Sequence, residues 1–294
     1  MSITAIQAIL STTPAALPPI WQLFLGVMLG ILVAYLAWRA HTLSSSGAVA
    51  AALEGAIIFG LGGLAWAVLL LAFFISSSGL SRAYKSKKRR MEEKFSKGSQ
   101  RDAGQVLANG GVASLFALIH FLLLLISPST ANATQVWAWA AFAGSLAAAN
   151  ADTWATELGV LSKATPRLIT SWNPIETGTS GGVSLFGTLA AFSGALLLGI
   201  LAFALSPQPE WTVMVAVTLG GLAGSMVDSL LGATIQAIYW CPACEKETER
   251  FPKHLCGTPT TLRRGLPWMN NDWVNAVCTL SGALIAMLLA IGLG

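Results

Sequence analysis

Leu64-Ala-Trp-Ala-Val-Leu-Leu-Leu-Ala-Phe-Phe-Ile-Ser-Ser-Ser-Gly-Leu80 runs straight into Ser81-Arg-Ala-Tyr-Lys-Ser-Lys-Lys-Arg-Arg90. The first part is close to the roughly 20 apolar residues that a helix needs to cross a hydrocarbon core about 30 Å thick. The second is a polybasic run that cannot enter that core and marks the side on which the helix ends. The rest of the 294-residue chain repeats the pattern, with 54% hydrophobic and only 10% charged residues. A soluble domain carries about 25% charged residues, so an ordinary soluble enzyme is excluded.

The sequence predicts an all-α, polytopic membrane helix bundle forming one membrane domain over residues 1–294. Spans are expected near 21–39, 47–62, 64–80, 106–126, 135–152, 183–206, 211–236 and 274–292. The count is eight, with seven as the lower count; the second and third, divided only by Gly62-Gly63, read as a tight hairpin or a re-entrant unit. With eight spans, all 17 Lys and Arg fall on one side, in Arg39 and in the loops 81–105, 153–182 and 237–273. The positive-inside rule makes that side cytoplasmic and places both termini outside. The N-terminus shows no basic n-region and no Arg- and Ser-rich presequence. A bacterial or cyanobacterial inner or thylakoid membrane is the expected location, with membrane lipid as a partner and no nucleic acid.

Ionisable groups inside spans cost about 2.5–3.5 kcal/mol on insertion scales, so each needs a partner or a wet cavity. Asp152 closes the fifth span in Asn150-Ala-Asp-Thr-Trp-Ala-Thr-Glu157, where Asn150 and Glu157 add oxygen ligands. Asp228 lies in a similar setting of small residues in the seventh span. Both spans run in the same direction, which brings both carboxylates toward the cytoplasmic side, where Asn109, Asn271 and Asp272 also lie. Oxygen donors grouped in this way suit Mg²⁺ held together with substrate phosphates. A helix cap or a loop Arg partner is the ordinary reading of any single Asp. Glu54 has no polar company and no assigned role.

The loops supply the opposite sign. Arg101 stands before a polar, glycine-rich helix entrance, Lys163 and Arg167 follow Asp152, and Glu176-Thr-Gly178-Thr179-Ser180-Gly181-Gly182 leads into the sixth span. Backbone N–H groups at such a helix entrance suit phosphate. Cys241-Pro-Ala-Cys244 with His254 and Cys256 gives four soft ligands in one loop, a pattern for a closed, structural Zn²⁺ site.

These motifs together, namely Ser76-Ser-Ser with the basic run, Gln100 to Gly111, Asn150 to Gly159, Thr177 to Gly182, Asp228-Ser-Leu-Leu-Gly232 and Asn271-Asp-Trp-Val-Asn275, resemble the membrane family of chloroplast phytyl-phosphate kinase. That family also takes in transmembrane protein 19. The likeness runs from about residue 47 to 290. More distantly, Asp152, Ala155, Gly159, Lys163, Glu176, Gly178 and Thr179 are similar to the nucleotide-binding signature of CTP-dependent dolichol and phytol kinases. The sequence departs from that signature where Thr177 separates Glu176 from Gly178 and where Asn173 replaces a Lys.

The resemblance implies transfer of the γ-phosphoryl of a nucleoside triphosphate, CTP by likeness, to phytyl or a related prenyl monophosphate. The expected roles are Asp152 and Asp228 as Mg²⁺ ligands, Asp272 and Glu157 as lesser ligands, and Lys163, Arg167 and Arg101 on phosphates. Two other classes share these features. An ion-coupled secondary transporter also has buried acids and glycine-broken helices, and a lipid-phosphate cytidylyltransferase would use the same metal and CTP.

Overall fold

The computed structural model describes residues 18–84, 100–126, 131–206, 208 and 210–293. The stretches Lys85 to Arg90 and Lys97 to Ser99 of the basic loop lie outside the described residues. Among the described residues eight α-helices follow one another: α1 (Ile20–Arg39), α2 (Ser45–Ile57), α3 (Leu64–Ala83), α4 (Ala103–Ile126), α5 (Ala131–Gly159), α6 (Leu185–Leu205), α7 (Trp211–Thr234) and α8 (Asn271–Leu293). All except α5 meet the length and hydropathy of a membrane span, α2 doing so with the π-helical turn Ile58–Gly62 that extends it. The chain is an all-α polytopic membrane protein.

The expected fifth span is thus the one whose apolarity falls short, and its packing shows why it can. Every residue of α5 from 138 to 151 is buried. α3, α4, α6, α7 and α8 all pack against it. A helix sheathed by other helices meets no lipid, so it can be built from Ala with Ser145, Asn150 and Asp152 in place of large apolar residues. Without a hydrophobic drive between helices in lipid, close van der Waals contact of small residues does the holding. On α7, a Cβ at Gly221 would come within 2.7 Å of the Ala147 Cβ, and one at Gly224 within 2.6 Å of the Ala148 Cβ.

Contacts fix the direction of each helix. α3 runs parallel to α5, since Trp66 packs at a tilt against Phe142 while Ser76 and Ser81 reach Asn150 and Glu157. α6 runs against α5, with Trp139 Nε1 donating to Ala202 O at 3.1 Å and Asn150 Nδ2 to Gly194 O at 2.9 Å. α2 runs parallel to α4, with Ser44 beside Arg101 and Glu54 beside Gly110. The odd-numbered helices therefore end, and the even-numbered ones begin, at the same end of the bundle. All described Lys and Arg lie at that charged end.

Gly62-Gly63 proves to be a tight hairpin: Gly63 takes φ +86°, a left-handed conformation that suits glycine, and α3 starts at the next residue. The widened carbonyls of the π-turn are served by α1, where Gln22 Nε2 donates to Gly60 O at 3.0 Å. At the charged end the long loops are not irregular. Arg167–Leu168 (β1) pairs with Gly182–Val183 (β2), and Ile238–Cys241 (β3), Lys246–Thr248 (β4) and Thr261–Arg264 (β5) form an antiparallel sheet in the order β4-β3-β5.

If small residues hold the bundle, Gly220→Ala should be costly, because its Cβ would lie 2.7 Å from Gly282 O and 2.8 Å from the Ala286 Cβ. Overpacking of this kind costs about 1–3 kcal/mol. Thermal unfolding in detergent should show a clear drop for Gly220→Ala and none for Gly79→Ala, where nothing lies within 4 Å. Equal melting temperatures would contradict the packing account.

Candidate functional site

A cleft of about 460 Å³ opens at the charged end, between the C-terminal thirds of α5 and α7 and the N-termini of α4, α6 and α8. Asp152 comes from α5 and Asp228 from α7. They meet because the Ala147–Gly221 and Ala148–Gly224 contacts set the two parallel helices side by side about one turn earlier. Asp152 and Glu249 lie close enough to Asp228 for their charges to act on it. Asp228 Oδ2 is buried and has no hydrogen-bond partner among the described residues. Carboxylates facing one another with an unpaired oxygen have the donor chemistry of a hard-cation site.

The opposite wall is built for anions. The turn Gly178 to Gly182 enters the cleft, with Gly178 at φ +82° and Gly181 at φ +85°. At Gly181 a side chain has no room either, since a Cβ would come within 2.6 Å of Ala233. Ser184 caps α6, its Oγ accepting from Gly187 N at 3.1 Å. Asn270 Oδ1 accepts from Asp272 N at 3.0 Å and caps α8, whose Asn271 and Asn275 line the cleft one helical turn apart. Three helix N-termini thus surround one cavity, and the positive end of a helix dipole favours anions.

Arg101 completes this wall. Its backbone is locked to the α1–α2 loop, donating to Thr42 O and accepting from Ser44 N at 3.0 Å each. Burial lowers the pKa of its guanidinium, while the Glu157 carboxylate raises it. Glu157 in turn accepts from Ser81 Oγ at 2.8 Å.

Of the residues singled out in the sequence, the cleft gathers Arg101, Asn109, Asp152, Glu157, Gly178, Thr179, Ser180, Gly181, Asp228 and Asn271. Lys163, Arg167 and Glu176 stand exposed outside it. The β1–β2 hairpin turns Arg167 away, and its Nη1 donates to Trp172 O at 2.7 Å. Asp272 sits one position off the Asn271–Asn275 face and does not line the cleft. Asn150 is a packing element, fully buried and accepting from Ser76 Oγ at 2.8 Å. Sequence reasoning missed Glu249, Gln105, Ser225 and Gln236.

Glu249 arrives from the cysteine loop. Cys241 ends β3, and Cys244, His254 and Cys256 fold back on it until their ligand atoms all lie within 4.8 Å of one another, a cluster that could hold a metal ion. His254 turns Nδ1 toward the sulfurs, 3.2 Å from Cys256 Sγ and 3.5 Å from Cys244 Sγ. The sheet carrying this knuckle projects Glu249 just past β4, where Gln236 Nε2 donates to its Oε1 at 3.0 Å. Ser180 Oγ meets the other end of the same amide, Gln236 Oε1. One buried Gln therefore ties the glycine turn, the end of α7 and the knuckle together.

The family described as integral membrane protein DUF92 matches residues 28–283. Protein PGR of Arabidopsis thaliana is 35% identical over 279 residues, covering 89% of this chain and 94% of the relative. An uncharacterized membrane protein of Methanocaldococcus jannaschii is 30% identical, covering 91% and 94%. Protein VTE6, chloroplastic, of Arabidopsis thaliana is 24% identical, covering 84% and 65%. No solved structure matches the chain.

The Gln236 bridge makes a testable demand on the loops. Gln236→Leu removes a bond to a carboxylate and one to a hydroxyl, about 1.5–3 kcal/mol for the charged one. Hydrogen exchange at 177–182 should speed up by roughly ten- to hundredfold while α5 is unaffected. Unchanged exchange in the turn would show that Gln236 does not anchor it.

Proposed function

Because the chain belongs to the DUF92 integral membrane protein family, we propose that it is a membrane phosphotransferase that moves the γ-phosphoryl of a nucleoside triphosphate, CTP by likeness, to a prenyl monophosphate such as phytyl phosphate. One observation carries this reading. A buried, unpartnered Asp228 oxygen faces Asp152 and Glu249 in the same cleft as the Gly178 to Gly182 turn and three helix N-termini. A divalent-cation site and a phosphate cradle in one cavity are the parts that phosphoryl transfer needs, because its loose transition state is served mainly by positioning and charge neutralisation.

Asp152 and Asp228 would hold Mg²⁺, with Glu249 and Glu157 beside them. Mg²⁺ supplies neutralisation of the charge spread over the phosphate oxygens when bound. The Gly178 to Gly182 turn and the entrance of α6 hold the nucleotide phosphates, and Arg101, Gln105 and Asn109 hold the acceptor phosphate. An oxygen of the acceptor phosphate attacks the γ-phosphorus, the bond from that phosphorus to the β-γ bridging oxygen breaks, and the nucleoside diphosphate leaves with the electron pair. The acceptor is already ionised at neutral pH, so the reaction needs no strong general base. The charged end is the cytoplasmic one by the positive-inside rule.

Purified protein, given phytyl or geranylgeranyl monophosphate with each of the four nucleoside triphosphates and Mg²⁺, should form the lipid diphosphate and release a nucleoside diphosphate. Pyrophosphate release would identify a cytidylyltransferase instead. Cation-coupled flux without transfer would identify a transporter. Asp152→Asn and Asp228→Asn should each lower kcat by about a hundredfold or more, the scale seen when transition-state charge loses its support. Near wild-type turnover in both variants would remove the metal assignment.

The knuckle should carry about one structural Zn²⁺ per chain, as Cys₃His sets do. Cys241→Ser and Cys256→Ser should each abolish zinc in metal analysis and lower the melting temperature. Unchanged metal content and melting temperature would make these ordinary thiols.

A further inference from the structure

A second cavity, of about 170 Å³, lies beside the polar cleft and differs from it in character. It arises from a gap in the packing. α1 leans on α2 and the π-turn, and α3 leans on α5 and on the π-turn, while α1 and α3 are not closely packed on each other. The space left between them is floored by α4 and walled by Val33 of α1, Phe59 of the π-turn and Val68 and Leu71 of α3. Leu29 and Leu64, exposed by 43% and 38%, stand where it opens sideways toward the lipid. Its one acid among the described lining residues is Glu54, buried against Gly110, where the missing side chain leaves the room that the carboxyl fills.

The groove is continuous with the polar cleft. Arg101, Gln105 and Asn109, on successive turns of the chain entering α4, line both cavities. A ligand with its anionic head at these residues therefore has an apolar way out, up the groove between α1 and α3. An ordinary surface groove of a membrane protein would be filled by bulk lipid. This one ends on a cation and two amides at the edge of the acidic centre.

We propose that the groove between α1 and α3 is the binding site for the hydrocarbon chain of the phosphorylated lipid acceptor, with its phosphate at Arg101, Gln105 and Asn109 and its chain running along Val33, Phe59, Val68 and Leu71. The proposal rests on the phosphotransferase reading for the identity of the head group. The chain enters sideways from the membrane, so the lipid never has to leave the bilayer to reach the cleft.

A twenty-carbon prenyl monophosphate carrying a diazirine near the end of its chain, photolysed with the full-length protein in phospholipid nanodiscs without nucleotide, tests the site directly. Mass spectrometry should find crosslinks on groove residues of α1 and α3, and excess unlabelled prenyl monophosphate should suppress them. Crosslinks elsewhere overturn the proposal. So do groove crosslinks that the competitor leaves untouched, because they would mark bulk lipid. Ala67→Trp, which narrows the groove, should raise KM for a twenty-carbon acceptor at least roughly tenfold relative to a five-carbon one, the scale on which apolar pockets discriminate. Equal changes for both lengths contradict the chain site. Competed groove crosslinks in a protein that transfers no phosphoryl group would leave the lipid site standing and remove the phosphotransferase reading alone.

Discussion

Ala147 and Ala148 of α5 lie against Gly221 and Gly224 of α7 so closely that neither glycine has room for a side chain. The other features follow from this seam. It brings two parallel helices together along their small-residue faces, and about one turn further on the carboxylates Asp152 and Asp228 face the same cleft. Because α5 is sheathed by five other helices, the pair is reached from the charged end and is screened from lipid. A wider seam built on Leu or Val would separate the carboxylates and admit lipid between them. The abundance of Gly and Ala is thus part of the chemistry as well as of the packing.

Helix direction supplies the complement. With odd helices ending and even ones beginning at the charged end, the cleft receives carboxylates from α5 and α7 and N-termini from α4, α6 and α8. Negative side chains and positive helix ends share one cavity, with no lysine among the described residues that line it. The two hairpins above it, β1–β2 and the β4-β3-β5 sheet, then add the glycine turn and Glu249. Gln236 connects them. The cysteine knuckle matters to this cleft as the clamp on the sheet that delivers Glu249.

The bundle was legible because lipid imposes simple rules on length, polarity and charge placement. Spans and their alternation follow from these rules, and only α5 strained them. Its hydropathy is low because it meets protein on all sides, a tertiary fact that no window over the chain can see. The carboxylates were legible because ionisable groups are rare inside spans. What escaped was decided by the loops. Lys163, Arg167 and Glu176 lie between two cleft-forming segments, yet the short β1–β2 pairing turns them outward. Glu249 is one of several acids in a charged loop, and only the return of His254 and Cys256 to Cys241 aims it at Asp228. The groove between α1 and α3 was invisible too, since an absent contact leaves no pattern in a sequence.

The measurement that bears most directly on this account is a structure of the full-length protein with Mn²⁺ in place of Mg²⁺ and a non-hydrolysable nucleoside triphosphate analogue. The account requires anomalous density for Mn²⁺ between the carboxylates of Asp152 and Asp228, with the analogue's phosphates against the Gly178 to Gly182 turn. Mn²⁺ absent from that pair, or a nucleotide bound away from the turn, would contradict it.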